Sequence, residues 1–238
     1  MATIFKIDFD LTSQEQIDIL DYLQANNYKL LGYKGASGPA QVTEGVPVWF
    51  AEPFIEMFGN VEIDYEPLYK VYVYNKATIG AYTTIQMQAL SPEVPLGTAV
   101  TFNADGSWST IPDGAPDGII TLLNNRPAGT DNITVGLASK VNGEFAPFCA
   151  FTATPQGSIS MEPNETVLLF AAQDDLVSGS VVGNTTAPGC TFDFNASSTQ
   201  YDLQLLPSTF GIDNAPGGRP VTVTDSGTDL TKLLTTVS

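Results

Sequence analysis

The sequence predicts an all-β protein, an antiparallel β-sandwich carrying one N-terminal amphipathic helix. Three observations support this. Short segments with apolar residues at every second position recur along the chain, Gly, Pro, Asn and Asp punctuate them, and one stretch alone has a helical repeat.

In order, "TIFKIDFDL" sets Phe5, Ile7, Phe9 and Leu11 against Lys6, Asp8 and Asp10, the alternation of a half-buried strand. "TSQEQIDILDYLQANN" follows. Thr12 with Glu15, or Ser13 with Gln16, forms a capping signature, and Ile17, Ile19, Leu20, Tyr22 and Leu23 cover one broad side of the predicted helix. The rest of the chain reads as strands: "LYKVYVYN", "TTIQMQAL", "GTAVTFN", "GIITLL", "NITVGLAS", "PFCAFTA", "ETVLLFAA" and "TQYDLQLL". Asp105-Gly106 and Asn142-Gly143 mark hairpin turns. Segments 71–102 and 135–170 share an order of strand, loop, strand and Pro-containing turn. The expected organisation is therefore the strand and helix of 1–30 packed on a sandwich unit 31–125, with a second unit 126–238 beyond the loop "NNRPAGTDN", or a single domain 1–238.

Composition narrows the function. Only 15% of residues are charged, against about 25% in an average protein, so Thr, Ser, Asn, Gln and Gly must form much of the surface. The charges are 26 acidic against 9 basic, a net −17, which repels phosphate backbones and argues against a nucleic-acid partner. Lys6, Asp8 and Asp10 deny the first ten residues a signal-peptide core, and the apolar runs are too short for a membrane helix. The expectation is a soluble protein made in the cytoplasm, with leaderless release open. Cys149 and Cys190 lie in strand-like segments, and their pairing is left open. Sequons at Asn132, Asn164, Asn184 and Asn195 point to exposed loops.

Histidine is absent, which removes the commonest general base and metal ligand, and no nucleophile elbow or phosphate-binding loop occurs. Paired carboxylates remain the best catalytic option. Glu52, Glu56, Glu62, Asp64 and Glu66 cluster in "AEPFIEMFGNVEIDYEP", but such a run on an acidic protein reads first as a solvated face. Asn103, Asp105, Asp113 and Asp117 could offer oxygens to Ca²⁺. They lack the spacing of a calcium loop and read as Asx and Asp-Gly turns, so no cofactor is expected.

The aromatic residues are the candidate contacts: Trp49, Phe50, Tyr65, Tyr72, Tyr74 and Trp108. Tyr72 and Tyr74 share the side of Lys70, opposite Val71 and Val73. If the valines are core, these rings face outward, where tyrosine offers large contact area at low entropic cost. Trp49 and Phe50 point to opposite faces of a strand, so one ring is expected in the core and the other at a contact, unless loops cover both.

The leading expectation is a non-enzymatic interaction protein, self-assembling into a homo-oligomer or binding a ligand. A second comes from the helix ahead of a β-rich region together with "VPVWFAEPF" and "YKVYVYN". Over roughly its first 75 residues the chain loosely resembles the actinoporin-type cytolysins, which implies a membrane-active toxin with an inserting helix and an aromatic lipid-binding patch. Glu15, Asp18 and Asp21 on the helix, with no cation before Lys29, depart from that pattern. A third is a lectin, with glycan stacked on exposed aromatic rings.

Overall fold

In a computed structural model, which describes residues 3–235, the chain is mostly β. Two eight-stranded sheets and one two-stranded sheet account for the strands. In the first large sheet the strands run Glu144–Pro147, Ile133–Val141, Asn60–Tyr74, Phe5–Asp10, Gln200–Leu205 and Ile212–Asn214, with Phe151–Ala153 and Ala89–Leu90 as side branches. In the second they run Thr222–Thr224, Gly189–Asp193, Ser158–Ala172, Ile120–Asn125, Ala99–Asn103 and Trp108–Ile111, with Lys29–Ser37 and Phe50–Pro53 attached. Strands from either side of residue 125 pair in both sheets: Asn60–Tyr74 with Ile133–Val141, and Lys29–Ser37 with Ser158–Ala172.

Pairing is mixed, which corrects the expectation of antiparallel sheets. Phe5–Asp10 lies parallel to Gln200–Leu205, and Ala99–Asn103 parallel to Ile120–Asn125. Parallel neighbours need a long crossover. The first pair has nearly the whole chain between its members, and the second uses segment 104–119, which contains the Trp108–Ile111 hairpin strand. Both expected hairpins form, with Gly106 at φ 84° and Asn142-Gly143 at 48° and 85°, the left-handed backbone that such turns require.

The expected helix is Gln14–Ala25, here α1. The Ser13 side chain accepts from the Gln16 backbone N–H, and Asn27 at φ 56° closes the far end. There the Tyr28 N–H reaches Leu23 O and the Asn27 N–H reaches Gln24 O, a Schellman termination. Ile19, Leu20 and Leu23 are buried, whereas Ile17 and Tyr22 are exposed. Gln16 is buried instead, and its amide bonds both Leu205 N (2.9 Å) and Leu205 O (2.8 Å), tying α1 to the sheet below. A second short helix, α2, spans Leu230–Leu234 with Asp229 as its cap and corrects the expectation of a single helix. Of the expected strands, "TTIQMQAL" is reduced to Ala89–Leu90, because 79–88 instead runs irregularly across the sheet and bonds residues 179–181.

The main core cluster takes residues from both large sheets: Ile7, Ile63, Val71 and Leu203 from the first, Leu30, Ile120, Val167 and Leu169 from the second. A second cluster joins Leu31, Tyr33 and Phe170 to Leu230 and Leu234 of α2. A third covers the other face of Asn60–Tyr74.

Candidate functional site

The aromatic contact residues are largely interior. Trp49, Phe50, Tyr65, Tyr72 and Tyr74 are all buried, and Trp108 is half-buried against Phe102 at 4.9 Å between ring centroids. The expected alternation at 71–74 is present, but both faces of the strand are covered. Val71 and Val73 enter the main core, while Tyr72 and Tyr74 lie under Val42, Ile79, Ile85 and Val181. Period-two alternation separates faces without saying which faces meet water. Trp49 and Phe50 sit in one cluster, with Trp49 edge-on to Tyr65 at 5.0 Å. The outward placement of Tyr72 and Tyr74 is therefore corrected, because Val42, Ile79, Ile85 and Val181 cover their face, while Trp49, Phe50 and Tyr65 lie in the main core.

The acidic run is divided among partners. Glu62 pairs with Lys6 and Glu66 with Lys140, each at 2.7 Å, and Glu52 accepts from Asn142 at 3.1 Å. Asp105 accepts from Ser107 N (2.9 Å) and Ser107 Oγ (2.6 Å), which is an Asx turn. Cys149 and Cys190 are buried free thiols.

A different constellation was not expected from the sequence. Strand Lys29–Ser37 directs Leu30 and Ala36 into the main core and Leu31 and Tyr33 into the second cluster. Lys34 shares the parity of Leu30 and Ala36, so its amine is carried between the sheets with no solvent exposure. Gly32 and Gly35 permit this. A Cβ on Gly32 would lie 2.2 Å from the Phe50 ring, and one on Gly35 would lie 2.0 Å from Asn164 Oδ1.

What meets Lys34 is a bulge. Pairing between Lys29–Ser37 and Ser158–Ala172 jumps from Pro163↔Ala36 to Val167↔Lys34, leaving Asn164, Glu165 and Thr166 out of register. Glu165 shares the parity of Val167 and Leu169, which lie in the main core, and so faces inward. Lys34 Nζ donates to Glu165 Oε2 at 3.0 Å and to the Asn164 carbonyl, and it lies 5.1 Å and 5.3 Å from the ring centroids of Tyr65 and Phe148. Tyr69 and Tyr65 donate their hydroxyls to Glu165 Oε1 at 2.7 Å and 3.2 Å. Burial lowers the Lys34 pKa, opposed by the Glu165 charge. Burial first, and the nearby carboxylate, hold both tyrosines above their usual range.

The first sheet carries a matching irregularity. Pairing of Asn60–Tyr74 with Ile133–Val141 passes from Glu66↔Lys140 to Tyr69↔Ser139, so Pro67 and Leu68 bulge. Proline, which lacks an N–H, suits such a position. The bulges at Pro67 and beside Pro163 contribute to the same space, a cavity of about 670 Å³. Phe5, Leu68, Val94, Pro95 and Leu96 make its wall mostly apolar. Segment 93–96 is held over it by the Val94 N–H to Tyr69 O bond of 2.9 Å. Tyr69 and Glu165 are at the wall, and the Glu165 side chain keeps 28% of its exposure. An apolar space of this size with a few convergent polar atoms has the form of a small-molecule site.

No family model matches the chain, and no curated protein or solved structure matches it. Function has to be read from this geometry. The signals in the sequence were the mid-strand Pro67 and Pro163, and the parity of Lys34 with Leu30 and Ala36.

Proposed function

We propose that this protein is a non-catalytic binding module that takes a small, mainly apolar molecule between its two bulged strands. In this reading the two sheets, which share a core, form a sandwich folded as one domain. The observation that carries it is the cavity at Tyr69 and Glu165: its walls are apolar, and one carboxylate is held in a fixed orientation by Lys34, Tyr65 and Tyr69. Fixed polar groups at an apolar site orient a ligand without ordering cost at the moment of binding. The sequence offers no histidine for acid–base chemistry, which favours binding over catalysis. A titration of the ¹⁵N-labelled protein with small apolar probes tests this. Saturable shifts at Leu68, Tyr69, Val94 and Ala196 are the expected result, and their absence across the panel would overturn it.

Self-association is the second reading. Among the described residues the edge strand Trp108–Ile111 pairs on one side only, with Ala99–Asn103, and its Ile111 is 61% exposed. Such an edge is open to strand addition. Light scattering after size exclusion decides it: a mass well above 25.3 kDa supports assembly, and a monomer refutes it. The toxin alternative gains less support, because Phe5–Asp10 is paired on both sides and Gln16 anchors α1. For the lectin alternative, Trp108 lies beside the Asn103–Ser107 turn but is packed on Phe102.

A further inference from the structure

We infer that the ligand of the bulge cavity carries a protonated amine on its apolar body: an amphipathic ammonium compound, not a fatty acid or a phosphate ester. This inference rests on the cavity being a binding site, and it adds the charge of the occupant. Two carboxylates, Glu93 and Glu165, line the cavity, and among the described residues no Lys or Arg does. Lys34 lies behind Glu165 with no exposure, so its charge is spent on Glu165 and the Asn164 carbonyl and cannot meet an anion in the cavity.

The donor count points the same way. A carboxylate offers about four lone-pair sites. At Glu165 Lys34, Tyr65 and Tyr69 take three of them, while the side chain remains part-exposed. An ionised carboxylate only accepts, so a ligand group that meets Glu165 must be a hydrogen-bond donor, and the two tyrosine hydroxyls, already engaged with Glu165 and with each other, are not free to donate to a ligand oxygen. Glu93, exposed beside the buried Val94, adds a second negative charge to the cavity lining. The net charge of −17 reinforces the bias by drawing cations towards the protein and repelling anions. Phe5, Leu68 and Leu96 supply the surface for the apolar body.

Calorimetric titration of the whole chain at pH 7 with decylammonium, 1-decanol and decanoate, each below its micellar concentration, separates the possibilities. Decylammonium is expected to bind one per chain and about tenfold tighter than decanol, the order of the margin between a charge-assisted and a neutral hydrogen bond. Decanoate is expected to be weakest. Added salt and Glu93→Gln should both narrow the ratio of decylammonium to decanol. Ala196→Trp, an exposed position on the cavity wall, should weaken all three compounds. If none of the three binds, the cavity is not a site for such molecules and both readings fail. If decanol or decanoate matches decylammonium, the cavity stands and the ammonium inference falls. If decylammonium binds Ala196→Trp undiminished, its binding is to the acidic surface, which also overturns the inference.

Discussion

Removing Glu165 should cost more stability than removing Lys34, although the two share one ion pair of 3.0 Å. The asymmetry comes from burial: the Lys34 side chain has no exposure, whereas Glu165 retains 28%. In Glu165→Ala the amine is left between the sheets with the Asn164 carbonyl and two ring faces, and an uncompensated buried charge costs about 3–5 kcal/mol. In Lys34→Met the carboxylate keeps two tyrosine donors and access to water from the cavity, so the loss should be about 1–3 kcal/mol. For a chain of this size the first figure corresponds to a fall in Tm of roughly 6–20 °C. The double variant Lys34→Met with Glu165→Gln should be more stable than Glu165→Ala, because an apolar residue in place of a buried charge is often tolerated. Urea denaturation at pH 7 of the wild type and the three variants measures these differences. If Lys34→Met is the more damaging single change, or Glu165→Ala costs less than about 1 kcal/mol, the burial argument is wrong.

Other consequences can be measured in the same way. A Cβ at Gly136 would lie 2.0 Å from Cys149 O and 2.6 Å from Tyr72 Oη, so Gly136→Ala should destabilise the fold by about 3 kcal/mol or more; a loss below about 1 kcal/mol would refute that contact. Asp8 faces Glu62 on one neighbouring strand and Asp202 on the other, and burial followed by those two charges raises its pKa. Asp8→Asn should therefore raise Tm slightly at neutral pH, by a gain of about 0.2–1 kcal/mol, and a lowered Tm would count against the like-charge row. On the alkaline side, burial pushes the Cys149 thiol from 9.0 up to about 12 and holds Tyr33, Tyr65, Tyr69 and Tyr72 above 10.0. The unfolded chain releases these protons first, so their stabilisation is complete below pH 9 and lost as pH rises, with Cys149 alone worth about 4 kcal/mol by pH 12. Lys34, lowered by burial, acts in the opposite sense until its ordinary value of 10.5 is passed. Thermal midpoints should consequently fall most steeply above about pH 10.5, and a flat profile to pH 12 would contradict the burial of these groups.

The sequence by itself determined the local structure, because local structure depends on periodicity and turn chemistry that neighbours in the chain carry. Phe5–Asp10, α1 with its Ser13 cap, and the hairpins at Asp105-Gly106 and Asn142-Gly143 were legible for that reason. Strand Lys29–Ser37 was not, since Gly32, Lys34 and Gly35 interrupt its apolar pattern. Each of the three is there for a long-range neighbour: Phe50, Glu165 and Asn164. The parallel pairs were hidden too, because Phe5–Asp10 pairs with Gln200–Leu205 across nearly the whole length of the chain, beyond the reach of local pattern. Burial of the tyrosines followed the same logic. Alternation put Tyr72 and Tyr74 on one face, but only residues from 42, 79, 85 and 181 could decide that the face is dry. The candidate site is the extreme case. Its lysine, its carboxylate, its two tyrosines and the prolines of its two bulges come from three strands, and the tertiary fold alone brings them together, with Pro67, Tyr69 and Glu165 at the cavity wall and Lys34 behind them.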